Sequence, residues 1–161
     1  MQEIISMSKK DFAQREKTQV RMTVLLGIIQ QLMTTRQNRL FAGMPLTLSQ
    51  FGVLNHFTHD PDRSWTVTAL AEVMEMNQPG ITKIVTVLLN KELLNATEDA
   101  LDRRKRYLMI TKKGQLLCDE TFRSLLPEIS QTFSEWDDQD LHQFHQHLEK
   151  LKNWLDANRI G

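Results

Sequence analysis

Apolar positions along the chain recur with a helical period. Over residues 10–41, Leu25, Ile28, Ile29 and Leu32 fall at i, i+3, i+4 and i+7, one face of a long helix. Ala42-Gly43-Met44-Pro45 ends it, since Gly and Pro stop helices. LTLSQFGVLNHF predicts a second, short helix with Thr47 or Ser49 as its N-cap. THDPDRS reads as a turn, and Ser64-Trp65-Thr66 as a very short strand. Two helices with matching stripes follow: Val67, Leu70, Ala71 and Met74, then Ile81, Ile84, Val85 and Leu88. Between them Glu75-Met76-Asn77 leaves room only for a tight turn, with Asn77 as N-cap and Pro79 tolerated in the first turn. Such a pair is a helix-turn-helix candidate.

The period then changes. LLNATEDALDRRKRYLMIT predicts two short strands, Leu94 to Glu98 and Arg106 to Ile110, around a polar, basic tip. A helix-turn-helix followed by a β-hairpin is the layout of a winged helix. Thr111 caps a long helix whose apolar positions Phe122, Leu126, Ile129, Phe133 and Trp136 step by four and three, with a bend expected at Pro127. From about Asp137 a last helix carries Leu141, Phe144, Leu148, Leu151 and Leu155, a heptad seam. The fold class is therefore mainly α with a small two- to three-stranded β wing. It is a winged helix-turn-helix, with a dimerisation layer of N- and C-terminal helices. Within the single chain 1–161, residues 45–113 form the winged helix-turn-helix lobe, and 10–42 plus 114–160 the helical dimerisation region. The competing use of the stripes is packing on their own domain.

Composition narrows the class. The chain is 40% hydrophobic and 25% charged, ordinary for a globular protein. Its longest apolar run, VLLGII from Val24, is too short to cross a bilayer, and no secretory signal is apparent. One cysteine excludes an intrachain disulfide framework and fits a reducing compartment. A cytoplasmic protein without a membrane partner is expected. The formal net charge of +0 hides a polarised chain. Arg103, Arg104, Lys105, Arg106, Lys112 and Lys113 follow one another without an acid. Asp119, Glu120, Glu128, Glu135, Asp137, Asp138 and Asp140 then face only Arg123.

That polarity gives the helix pair a chemistry. With Ile81, Ile84, Val85 and Leu88 turned inward, the second helix presents Gln78, Thr82, Lys83 and Thr86 outward. Gln pairs with adenine, Thr offers a hydroxyl and a methyl, and Lys reaches guanine or phosphate, so this face suits a major groove. Gly80 permits close approach. Arg103, Arg104, Lys105 and Arg106 at the hairpin end suit the minor groove, whose negative potential attracts arginine. Asp102 is no phosphate ligand, but it is a sensible clamp for an arginine rotamer. A solvated helix face and a solvated loop are the alternatives for each feature taken alone. Together they point to double-stranded DNA.

Leu70-Ala71, the spacing from Ile81 to Leu88, and the run D-R-R…L-M-I-T-K-K-G over residues 102–114 resemble the MarR (multiple antibiotic resistance regulator) winged-helix repressors. The run looks like that family's D-x-R wing followed by its L-T-x-x-G helix start, and the helix order matches over nearly the whole chain. The resemblance implies that Asp102 orients Arg104. It also implies a homodimeric regulator, a repressor in kind, on a pseudo-palindromic operator. A small aromatic or phenolic ligand would bind between the dimer layer and the DNA-binding lobe, with Phe41, Trp65 and Met33 as lining candidates. One departure stands out: Glu92, in NKELL, occupies the place where the family usually has Gly.

Other chemistries fit less well. Family members that sense oxidants place their cysteine near the start of the chain, whereas Cys118 follows the wing. His142 and His145 share a helix face but His147 points elsewhere, and His56 and His59 lie three apart without a Cys or Glu completing a metal site. No nucleophile elbow, H-E-x-x-H, P-loop or dinucleotide-binding glycine pattern occurs, so neither catalysis nor a cofactor is expected. The rivals to a DNA-binding regulator are a winged-helix protein–protein adaptor and a metal- or redox-responsive regulator of the same fold.

Overall fold

The computed structural model describes residues 9–99 and 105–159. Its elements are α1 (Lys9–Leu40), α2 (Leu48–Thr58), α3 (Val67–Val73), α4 (Gln78–Asn90), β1 (Leu94–Glu98), β2 (Arg106–Ile110), α5 (Lys112–Thr132) and α6 (Asp138–Ala157). The chain divides into two compact units that part between Cys118 and Asp119.

Side-chain caps fix where the helices of the first unit begin. Thr47, not Ser49, caps α2: its hydroxyl accepts from the Gln50 N–H while the Gln50 side chain accepts from the Thr47 N–H, a reciprocal box. Thr66 caps α3 and Asn77 caps α4 without that reciprocal bond, accepting from the N–H groups of Ala69 and Gly80. The inward stripes then meet in one core. Val53, Leu54 and Phe57 of α2, Leu70 of α3, and Ile81, Val85 and Leu88 of α4 are buried with Leu93, Leu94, Leu108 and Ile110 around the hairpin. Burying each such side chain is worth about 1.5–3 kcal/mol, which holds the short helices of this lobe together.

Strands β1 and β2 pair antiparallel, Leu94 with Ile110 through Glu98 with Arg106. The short strand expected at Ser64-Trp65-Thr66 contracts to a single bridge. Trp65 and Leu108 exchange backbone hydrogen bonds of 2.9 and 2.8 Å, so β2 has a neighbour on each side. Thr66 cannot extend that strand because it already caps α3.

Both helices of the pair end in the same device. At the end of α3 Glu75 adopts φ 51°, its N–H donating to Glu72 O and that of Met76 to Ala71 O. At the end of α4 Glu92 adopts φ 60°, with Glu92 N–H donating to Leu89 O and Leu93 N–H to Leu88 O. These are Schellman closures, which usually place Gly at the left-handed residue. Glu92 thus occupies a position whose backbone favours the glycine it lacks. Its carboxylate forms a 2.9 Å pair with Lys113, which holds its pKa below the usual carboxylate range.

His56 of α2 lies edge-on to Trp65, ring centroids 4.7 Å apart, while the Arg63 guanidinium stacks on the Trp65 face. Its Nε2 is buried and has no hydrogen-bond partner among the described residues. Burial first, then the nearby His59 and Arg63, lowers its pKa from the ordinary 6.5. A folded-state pKa below the unfolded one means that the unfolded chain takes up the proton first. The stability contribution is therefore complete above about pH 6.5 and falls as the pH drops towards the lowered value. The melting temperature is expected to decline from pH 7.5 to pH 5.5, and less so in His56→Phe, which keeps a ring against Trp65. Thermal melts at fixed ionic strength check this, and identical declines would remove His56 as the cause.

In the second unit α5 ends at Thr132, before the apolar stripe of the sequence does. Phe133 and Trp136 lie in the connection to α6, because Asp137 turns its carboxylate onto the Asp140 N–H and starts a new helix there. The rings stay together without the helix: Phe133 meets Trp136 at 5.7 Å and Trp136 meets Phe144 at 5.1 Å.

Candidate nucleic-acid interface

Helix α4 owes its outward face to its inward one. Ile81, Val85 and Leu88 are buried, and Gln78, Thr82, Lys83 and Thr86 on the other side are all exposed. Asn77 fixes the start of this face by accepting the Gly80 N–H at 2.8 Å. A Cβ on residue 80 would come within 2.9 Å of that same Asn77 oxygen. The cap therefore favours glycine there independently of any approach by DNA.

The threonines are internally committed. Thr82 donates to Gln78 O and Thr86 to Thr82 O, each at 2.8 Å. What they offer a ligand is an acceptor lone pair and a methyl group, matching the base edges that carry a donor or a thymine methyl. Gln78 Nε2 donates to the Thr68 hydroxyl at 3.4 Å, a long bond that orients the amide across to α3. Among the described residues no ion pair or hydrogen bond holds Lys83.

At the hairpin, Asp99 N–H donates to Lys105 O at 3.0 Å and continues the ladder one pair beyond Glu98 and Arg106. Lys105 and Arg106 are exposed there. Asp102, Arg103 and Arg104, with the Asp102–Arg104 clamp, lie outside the described residues. A partner that the sequence did not announce appears opposite Arg106. Glu98, its cross-strand neighbour, stands 3.7 Å from its guanidinium, both side chains largely exposed. An exposed pair of this length is worth at most about 1 kcal/mol. Arg106 can therefore exchange Glu98 for a phosphate at little cost.

The remaining candidates are accounted for by their own neighbours. Phe41 is buried against the ring of Phe51, and Trp65 lies between His56 and Arg63. Met33 stands exposed on α1. Cys118 is buried, its thiol 3.7 Å from the Asn55 side-chain oxygen. On α6, His142 faces Gln146, His145 faces Glu149, and His147 donates from Nδ1 to Gln143 O. Among the described residues no group of three or more His, Cys, Asp or Glu could hold a metal ion, and no helix is long and apolar enough to cross a membrane.

A helix-turn-helix closed by a β-hairpin and flanked by long helices is a winged-helix protein. The MarR family model matches residues 43–105, which hold the helix pair and the first strand of the hairpin, so over this stretch the chain is similar to that family. Solved structures agree on the fold. A MarR family protein from Bacillus stearothermophilus is similar at 19% identity with a TM-score of 0.74, covering 88% of this chain and 97% of that one. The transcriptional regulator BldR from Sulfolobus solfataricus is 26% identical with a TM-score of 0.68, covering 94% of this chain and 100% of that one. The S. aureus MepR–DNA complex is 22% identical with a TM-score of 0.66, covering 83% of this chain and 97% of MepR. Among curated protein sequences none matches the chain. The fold is thus that of a MarR-family transcriptional regulator.

Proposed function

We propose that the chain is a cytoplasmic repressor that binds a pseudo-palindromic operator as a homodimer. The observation that carries this reading is the exposed row Gln78, Thr82, Lys83 and Thr86 on α4, in the same compact unit as the basic end of the hairpin. Each subunit sets the α4 row in a major groove, while Arg103, Arg104, Lys105 and Arg106 grip the adjacent minor groove or backbone and Asp102 holds Arg104 in place. Residues 45–113 serve as the DNA-binding lobe, with 10–42 and 114–160 as the dimerisation region. The similar MepR was solved in complex with DNA, which supports the reading by analogy.

Dimerisation is supported by apolar side chains left open in the single chain. Leu25, Ile28 and Leu32 on α1 are 55%, 48% and 64% exposed, and Leu148 and Leu155 on α6 are 40% and 54% exposed. Contiguous apolar surface of this kind is rare on monomers and marks interfaces. Two-fold symmetry then sets the half-sites about one helical turn apart. A small aromatic ligand releases the operator by binding the two states of the dimer with different affinity.

Substitutions on α4 test the reading residue by residue. Lys83→Ala is expected to weaken binding evenly over all duplexes and to reduce the salt slope by about 0.9, one phosphate contact fewer. Gln78→Ala is expected to relax discrimination at one base pair, by about 1–3 kcal/mol. Fluorescence anisotropy on operator and scrambled duplexes separates the two effects. Wild-type behaviour in both variants would take α4 out of the interface.

A further inference from the structure

We infer that Thr68 on α3 is a positioning residue for base recognition: its hydroxyl holds the Gln78 amide so that the amide reads adenine. The inference rests on the DNA-binding reading and deepens it, naming one base and the residue behind the contact.

The polar row on α4 is fixed from within except at its first member. Thr82 and Thr86 are β-branched and stiff, and each hydroxyl is tied at 2.8 Å to the carbonyl one turn back. Gln78 carries a long, flexible side chain, which gives up rotational freedom when it pairs with a base. Its backbone oxygen serves Thr82 and does nothing for its amide. The amide is held from across the turn instead: Nε2 donates to Thr68 Oγ1 at 3.4 Å. Neither capping nor packing uses that hydroxyl. Thr66 caps α3 by accepting the Ala69 N–H at 3.2 Å, Leu70 and Ala71 are its buried residues, and Thr68 is exposed, like Gln78.

The bond decides which base the amide can pair with. A glutamine amide has two N–H donors and one oxygen acceptor. Thr68 takes one N–H, which leaves one donor beside one acceptor. Adenine presents the complement in the major groove, an N6–H donor beside the N7 acceptor. Guanine presents two acceptors, N7 and O6, so the amide oxygen would face an acceptor there. An amide released from Thr68 can turn and aim both N–H groups at guanine. The Thr68 hydroxyl therefore favours adenine over guanine without touching either. At 3.4 Å the bond is at the weak end of its kind, so the preference it adds is modest, about threefold.

Competition anisotropy with the full chain tests this, on the operator recovered from a random duplex pool and on copies with A·T changed to G·C at each position. Gln78→Ala marks the pair that Gln78 reads, losing about tenfold or more of the discrimination there. Thr68→Val keeps the shape and drops the hydroxyl. It is expected to lose about threefold of the adenine-over-guanine ratio at that same pair and nothing elsewhere. Thr68→Ser is expected to keep the wild-type ratio, and unchanged melting curves show that the variants are folded. In the Gln78→Ala background Thr68→Val is expected to change nothing, whereas a hydroxyl that only steadied α3 or met a phosphate would still show its effect. A marked pair without adenine, a wild-type ratio in Thr68→Val, or a loss that persists without Gln78 would overturn this inference and leave the DNA-binding reading standing. A pool that yields no preferred duplex would overturn that reading, and the inference with it.

Discussion

Replacing Gly114 by Ala is expected to destabilise the winged lobe by about 3 kcal/mol, although it adds a single methyl group. The first turn of α5 lies directly on the backbone where α4 passes into β1. The Leu93 carbonyl accepts the Thr111 N–H at 3.0 Å, while the Thr111 hydroxyl donates to the adjacent Glu92 carbonyl at 2.8 Å and accepts from the Gly114 N–H at 3.0 Å. A Cβ on residue 114 would run into the Leu93 carbonyl oxygen and come within 2.9 Å of Ile110 Cγ1. Backbone and a buried strand side chain cannot swing aside as an exposed lysine would. Overpacking of this kind costs about 1–3 kcal/mol, and displacing the Leu93 carbonyl puts a further hydrogen bond of about 1 kcal/mol at risk. For a chain of this size that corresponds to a melting temperature lower by about 10 °C. Gly52 provides the contrast. It sits within α2 with nothing within 4 Å of its missing Cβ, so Gly52→Ala is expected to be stabilising by about 0.5–1 kcal/mol. Calorimetry on the two variants checks both signs. A Gly114→Ala protein as stable as the wild type would mean that α5 does not need this close approach.

The second large effect concerns the hairpin. Changing Arg103, Arg104, Lys105 and Arg106 together to glutamine removes four positive charges. On the proposed reading this lowers affinity for operator and random duplex alike, by a factor on the order of a hundred near physiological salt. The slope of log affinity against log salt is expected to fall by up to about 3.6, since each phosphate contact contributes about 0.9. Sequence preference set by α4 is expected to survive in what binding remains. The counter-experiment is Glu98→Gln. Removing the carboxylate 3.7 Å from Arg106 frees that arginine and is expected to tighten binding by a few-fold. A quadruple variant with wild-type affinity and slope would show that the hairpin does not touch the backbone.

Much of the fold was legible because the burial pattern is periodic. The stripes of Val67 to Met74 and Ile81 to Leu88 fall on α3 and α4, and Asn77 caps α4 as its type and position imply. The alternation from Tyr107 to Ile110 locates β2 correctly. The parts that stayed hidden have no side-chain signature. The closures at Glu75 and Glu92 use a left-handed residue, which a sequence normally announces with Gly or Asn, and glutamate carries no such signal. The end of α5 was invisible for a related reason. Phe133 and Trp136 keep the helical spacing of the stripe but pack edge-on against each other, and Trp136 against Phe144, so periodicity outlasts the helix. The Glu98–Arg106 pair depended on strand register, which composition alone does not fix.

The measurement that bears most directly on the central claim is selection of bound sequences from a random duplex pool by the intact protein, followed by a salt titration on the winner. The account predicts an enriched inverted repeat with half-site centres about 10 bp apart and affinity falling steeply with salt. No enrichment, with weak binding equal on every duplex, would contradict it: the winged fold would remain, and its exposed α4 face would belong to a protein partner instead.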